Sequence, residues 1–281
     1  MNPISDISPI ERRQGILAIL AAAVLWSTGG VFIKLISLDA WGLCAFRALF
    51  AALAFFLIFR KEALRFNRLS LLNALLYALC TFLFVMATKL TTAANAIFLQ
   101  FTAPIYILLL EPMLFRIPLR RAHVITLLFC MAGMALFFLD EAAPGHMTGN
   151  LLALLSGAVL SAFTLIQKLN TPTHQASAIL GGNLVLSLAC MPLALQGGLP
   201  TGPDWLMLAY LGTFQLGIAY GLFTFSLRRI LAIETSLFGM IEPVLNPMWV
   251  FFFYGERPGN WAIAGGIVIL ITLSLRSILN R

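Results

Sequence analysis

Ten long apolar runs dominate this chain and leave little freedom for any other architecture. They fall at residues 14–36, 41–59, 70–88, 93–115, 122–139, 149–168, 174–195, 205–227, 233–254 and 261–279. Each is close to the roughly 20 residues that a helix needs to cross a bilayer core. The gaps are short and turn-like, as in "LDA" at 38–40 and "ERPGN" at 256–260, so no soluble domain fits between them. Strands of a membrane barrel would alternate polar and apolar residues over about ten positions, and these runs do not. Only 10% of the residues are charged, 60% are hydrophobic and the mean hydropathy is +0.95. A soluble surface needs about 25% charged residues. The expected fold class is an all-α membrane protein of ten transmembrane helices.

The basic residues orient it. With the N-terminus in the cytoplasm, the inner segments hold Arg12, Arg13, Arg60, Lys61, Arg65, Arg68, Arg116, Arg120, Arg121, Lys168, Arg228, Arg229, Arg276 and Arg281. The outer ends hold only Lys34, Lys89 and Arg257, and Arg47 lies inside the second run. This asymmetry puts both termini in the cytoplasm. Trp41, Trp205 and Trp261 then all begin helices at the outer face, as an aromatic belt would. The net charge of +7 is explained by clusters facing an anionic membrane surface, and no nucleic-acid partner is expected.

Cys44, Cys80, Cys130 and Cys190 fall singly in four runs with no CxxC spacing, so neither a disulfide framework nor a zinc site is indicated. His123, His146 and His174 sit at run ends, which suits surface or interfacial placement better than metal binding. No cofactor or metal is expected. The first run, after Arg12 and Arg13, is too long for a signal-peptide core and lacks a small-residue cleavage site, so it reads as a retained first helix.

The chain repeats. A shift of 139 residues sets Phe84, Ala93 and Pro104 on Phe223, Ala232 and Pro243, laying helices 3–5 over 8–10. A shift of 134 sets Leu17, Leu20, Ser27, Lys34 and Leu35 on Leu151, Leu154, Ser161, Lys168 and Leu169. Five helices per half is an odd number, so the second half is inverted relative to the first. The expected organisation is one five-helix repeat over 1–139, an outer connecting loop over 140–148 and an inverted repeat over 149–281. Inverted repeats characterise secondary transporters, with the substrate near midplane at the repeat interface.

Four stretches carry a family likeness: "LWSTGGVFIK" in helix 1, "FRALFAALAFF" in helix 2, "APIY" in helix 4 and "IEPVLNPMWVFFFYGE" across helix 9. With them the chain resembles the EamA-type branch of the drug/metabolite transporter superfamily over nearly its whole length. The first half departs from the pattern where Arg116 and Ile117 replace a Gly-Glu pair. Within the superfamily the chain is most similar to bacterial inner-membrane exporters of aromatic and other amino acids. The resemblance implies alternating access around a central cavity in the inner membrane.

Polar groups inside hydrocarbon usually face a bundle interior or a water-filled path. Helices 5 and 10 have almost none at mid-depth, which places them on the lipid side and helices 1, 3, 4, 6, 8 and 9 around the cavity. The pathway candidates are Trp26, Ser27, Tyr77, Thr81, Asn95, Phe98, Gln100, Ser161, Thr164, Gln215, Tyr220, Glu242 and Asn246. Ser27 and Ser161 could equally bond a carbonyl of the preceding turn. Gly29 and Gly30 suit close helix contact. Pro104, Pro243 and Pro247 are hinge candidates, or tolerated kinks. Arg47 is a candidate contact for a substrate carboxylate, or a residue that fixes the fold. Glu242, the only acid deep in a run, either meets a substrate ammonium or exchanges a proton, or bonds backbone freed by the prolines.

This inventory suits a zwitterion with an apolar or aromatic side chain, with the proton as a candidate coupling ion. A phosphorylated sugar would want two or more deep basic groups. The alternative cargo is a lipophilic cation. An intramembrane enzyme would need paired catalytic groups at midplane, and no His or Asp lies deep in any run.

Overall fold

The structure, a computed structural model, describes residues 8–141, 147–254 and 259–279. Ten helices are present among the described residues, with no strand. They are α1 (Pro9–Ser27, continued by Gly29–Leu35), α2 (Ala40–Phe59), α3 (Arg68–Leu90), α4 (Ala93–Gln100 and Ala103–Phe115) and α5 (Arg121–Glu141). The second half comprises α6 (Met147–Leu169), α7 (Pro172–Ala194), α8 (Gly202–Tyr210, Leu211–Ile218 and Ala219–Leu227), α9 (Ala232–Gly239 and Glu242–Tyr254) and α10 (Asn260–Leu279). Seven of the helices are long and apolar enough to cross a membrane, and α5 and α10 contribute the shorter apolar stretches Arg121–Leu136 and Ile263–Arg276. The predicted outer connection at 140–148, His146, the Gly-Glu pair at 255–256, Arg257 and Arg281 lie wholly or partly outside the described residues.

Helices 4 and 9 are not continuous, and they break at equivalent places. α4 is interrupted at Phe101–Thr102 and α9 at Met240–Ile241, 139 residues later. Pro104 and Pro243 are each the second residue after the break. A proline has no N–H for the carbonyl four residues back, and its ring crowds that carbonyl. The turn before it tightens instead. Ile105 N–H donates to Thr102 O at 3.0 Å, and Val244 N–H donates to Ile241 O at 3.1 Å, in the same register. The side chain of Pro247 lies outside the described residues.

Packing follows the repeat. α3 packs on α6 and α7 as α8 packs on α1 and α2, while α2 meets α7 and α5 meets α10 across the pseudo-two-fold axis. The broken helices also meet, the second half of α4 against the first half of α9 and the reverse. Small residues permit the close approaches. A Cβ on Gly212 of α8 would lie 2.5 Å from Arg47 O, and one on Gly157 of α6 would lie 2.7 Å from Gln100 O. These contacts press α8 onto the turn carrying Arg47 and α6 onto the break in α4.

Candidate functional site

A cavity of about 80 Å³ lies between the two repeats, with walls from α1, α2, α3, α4, α6, α8 and α9. Every helix expected to line it does so, and α2 adds Arg47. Among the described residues α5, α7 and α10 contribute nothing to the wall. The volume holds a few waters, so the structure shows a narrow state.

Of the predicted pathway residues, Trp26, Thr81, Gln100, Thr164, Gln215, Tyr220 and Glu242 line this cavity, together with Arg47. Trp26 sits against Tyr220 (ring centroids 5.1 Å apart) and Phe223 (5.6 Å), forming an aromatic wall. Several polar atoms at the wall are buried without a hydrogen-bond partner among the described residues: Trp26 Nε1, Arg47 Nε, Thr81 Oγ1 and Gln215 Oε1. Buried polar atoms are rarely left unpaired. Four around one cavity mark a surface built to receive a polar guest or water.

Arg47 is only 1% exposed, and Glu242 begins the second half of α9. Among the described residues neither forms an ion pair or a side-chain hydrogen bond. An acidic and a basic side chain thus face one cavity without meeting. A carboxylate at a helix N-terminus is favoured by the helix dipole, which helps hold Glu242 at the break. Gly239, one turn earlier, also lines the cavity, and nothing lies within 4 Å of where its Cβ would be.

Six predicted residues do not reach the cavity wall. Ser27 donates to Val24 O (2.7 Å) and Ser161 to Ala158 O (2.6 Å), the same local bond in equivalent places. Ser27 also accepts from Trp249 Nε1 at 2.7 Å. Tyr77 is buried behind Tyr220 (ring centroids 4.8 Å apart), with its hydroxyl on Asn183 of α7. Asn95 Nδ2 donates to Thr91 Oγ1 at 3.4 Å. Phe98 packs on the main core, and Asn246 is buried with Oδ1 unpartnered among the described residues. Gln100 lines the cavity while its amide donates to Ser156 Oγ at 2.6 Å.

Two features had no clear signal in the sequence. Leu211–Ile218 of α8 is a π-helical turn, a form often found at functional sites, and it presents Gln215 to the cavity. A Cβ on Gly29 would sit 2.5 Å from Gln215 Nε2, so that glycine makes room for the amide. The second feature is a buried charge cluster. Glu111 accepts from the backbone N–H of Ala232 (2.6 Å) and Ile233 (2.8 Å), capping α9 from α4. Glu234 is 2.7 Å from Arg12, 3.6 Å from Arg276 and 3.8 Å from His123. His123 is therefore 2% exposed instead of interfacial, because a buried carboxylate needs partners from several helices.

Comparison with known proteins agrees with this geometry. A family described as the EamA-like transporter family matches twice, over residues 13–139 and 147–278. An uncharacterized transporter from Archaeoglobus fulgidus is 26% identical over 260 residues, 92% of this chain and 94% of that protein. The aromatic amino acid exporter YddG of Ancylobacter novellus is 26% identical over 199 residues, 67% of this chain and 68% of that one. A solved crystal structure superposes with a TM-score of 0.77 at 21% identity, covering 94% of this chain and 96% of the other, and supports the fold alone. Two tandem matches, ten helices in two five-helix repeats and a cavity at the repeat interface lead to one assignment: the chain belongs to the EamA-like transporter family.

Proposed function

We propose that this transporter exports neutral amino acids, aromatic ones among them, across a bacterial inner membrane by alternating access, with both termini in the cytoplasm. The observation that carries the reading is the pair Arg47 and Glu242, one basic and one acidic, facing the same cavity and unpaired with each other. A zwitterion satisfies both at once: its carboxylate takes the guanidinium and its ammonium takes the Glu242 carboxylate. Trp26, Tyr220 and Phe223 offer an aromatic surface for the side chain. The relative named for aromatic amino acid export supports the same class. The positive-inside asymmetry supports the orientation.

A lipophilic cation would use Glu242 but leave Arg47 as a buried repulsive charge. The two cargoes are separated by uptake into proteoliposomes holding the purified protein. Labelled phenylalanine, leucine and tetraphenylphosphonium are offered in parallel, and the lumenal label is checked for chemical change. The reading expects saturable entry of intact amino acids and none of the cation. Entry of tetraphenylphosphonium with no amino-acid uptake refutes it.

A further inference from the structure

The outer face of the α5–α10 pair carries a second site. The two helices touch at Gly133, where an added Cβ would lie 2.8 Å from Ile269 Cγ1 and 2.9 Å from Gly265 O. On one side of that contact they part and leave a groove of about 680 Å³. Ile125, Phe129, Ile271 and Leu275 form its apolar floor, and each is more than half exposed. Arg120 and Arg276 close the end nearest the Glu234 cluster.

Among the described residues that end is rich in cations. Arg276 is 7% exposed, and its Nε and one terminal nitrogen have no hydrogen-bond partner among the described residues. Its carboxylate neighbour, Glu234, stands 3.6 Å away and is already engaged by Arg12 at 2.7 Å. Arg12 and Arg120 both lie near enough to repel Arg276. Among the described residues Arg276 shares Glu234 with Arg12 and His123, and Arg120 stands close to Arg276. A buried guanidinium with open donors calls for an anion, and phosphate oxygens match its fork. The groove below it is apolar and opens to the lipid. A second copy docking by this face would bring the same cations together, which disfavours it.

We propose that this groove binds one anionic phospholipid, with its phosphate on Arg120 and Arg276 and an acyl chain along the floor between α5 and α10. Basic pockets between helices are known to hold anionic headgroups in this way. The site lies on the opposite side of the bundle wall from the cavity and does not depend on the cargo.

Native mass spectrometry of the delipidated full chain, titrated with phosphatidylglycerol or phosphatidylcholine of equal chain length, tests the proposal. Phosphatidylglycerol should be retained preferentially. Arg120→Gln should weaken its retention about fivefold, the size expected for one arginine at a membrane surface. Ile271→Trp should weaken both lipids by filling the floor without changing charge. Lys61→Gln, a loop cation elsewhere, should change nothing. Equal retention of the two lipids overturns the proposal. So does equal loss in Lys61→Gln, which would mean general surface charge, or full displacement by soluble glycerol phosphate, which would mean a phosphate site without a lipid. Arg276→Gln is avoided because that residue also holds Glu234.

Discussion

Lys34 and Lys168, equivalent residues of the two repeats, make the same bond at equivalent places. Lys34 Nζ donates to Thr91 O at 2.9 Å, where α3 ends before α4. Lys168 Nζ donates to Ile230 O, between α8 and α9, and to Leu227 O at 3.2 Å. Thr91 and Ile230 are themselves 139 residues apart. A second pair repeats the pattern: Lys89 Nζ donates to Leu38 O at 3.0 Å and Arg228 Nη2 to Pro172 O at 2.6 Å. Inversion puts the two sets at opposite ends of the bundle. Each ties the end of α1 or α6 to the entry of a broken helix.

If transport alternates between faces, these ties are expected to serve as matched latches, one for each face. Lys34→Met should loosen the Lys34 face and raise the labelling rate of a cavity cysteine from that side alone. Lys168→Met should do the reverse. The native cysteines are first replaced, and a single cysteine is placed at Thr81. A charge-assisted bond is worth about 1.5–3 kcal/mol, so the change should be about tenfold or more. Equal changes from both sides in either variant would show that the lysines only hold the fold together.

Arg116 ends α4 in the left-handed region, at φ 52° and ψ 42°. Glycine takes that conformation without steric cost, and the repeat has Gly255 at the matching sequence position. Arg116→Gly should therefore raise stability by about 1 kcal/mol. Thermal unfolding in detergent measures it, with Leu119→Gly as a control that should fall.

Trp26→Ala should weaken transport about tenfold, or 1.4 kcal/mol, with rates normalised to inserted protein. Trp261, 51% exposed at the start of α10, serves as comparison, and Trp261→Ala should leave the rate near wild type. Equal losses would remove Trp26 from the pathway.

The ten runs were legible because hydrophobic length is read directly from composition, and the repeat because lysines and prolines recur at constant offsets. The lining helices were legible because polar groups avoid lipid. What could not be read was which polar residue turns inward and which is spent on its neighbours. Ser27 and Ser161 sit on lining helices, yet their hydroxyls close on the preceding turn. Tyr77 lies one ring behind the wall because Tyr220 stands in front of it. Nor does a sequence signal mark the π-turn that aims Gln215, which lies where Gly212 packs tightly against α2. His123 looked interfacial by position, and only the three-dimensional meeting of Arg12, Glu234 and Arg276 explains its burial.

Glu242 accepts no hydrogen bond from the protein among the described residues, and no basic side chain pairs with it. If ammonium and proton compete for it, pH-gradient-driven transport should collapse in Glu242→Gln, while substrate-for-substrate exchange persists. Initial rates against pH, in liposomes, make the comparison. Matching curves for variant and wild type would assign the residue a structural role at the helix break.

The central claim is that Arg47 and Glu242 together hold a zwitterion. The most direct test compares phenylalanine with phenethylamine, which keeps the ring and the ammonium but lacks the carboxylate, as inhibitors of labelled phenylalanine uptake. Wild type should prefer phenylalanine by about tenfold or more, the worth of one charge-assisted bond, and Arg47→Gln should abolish that preference by weakening phenylalanine alone. Undiminished discrimination in Arg47→Gln, or a wild type that binds both compounds equally, would contradict the account.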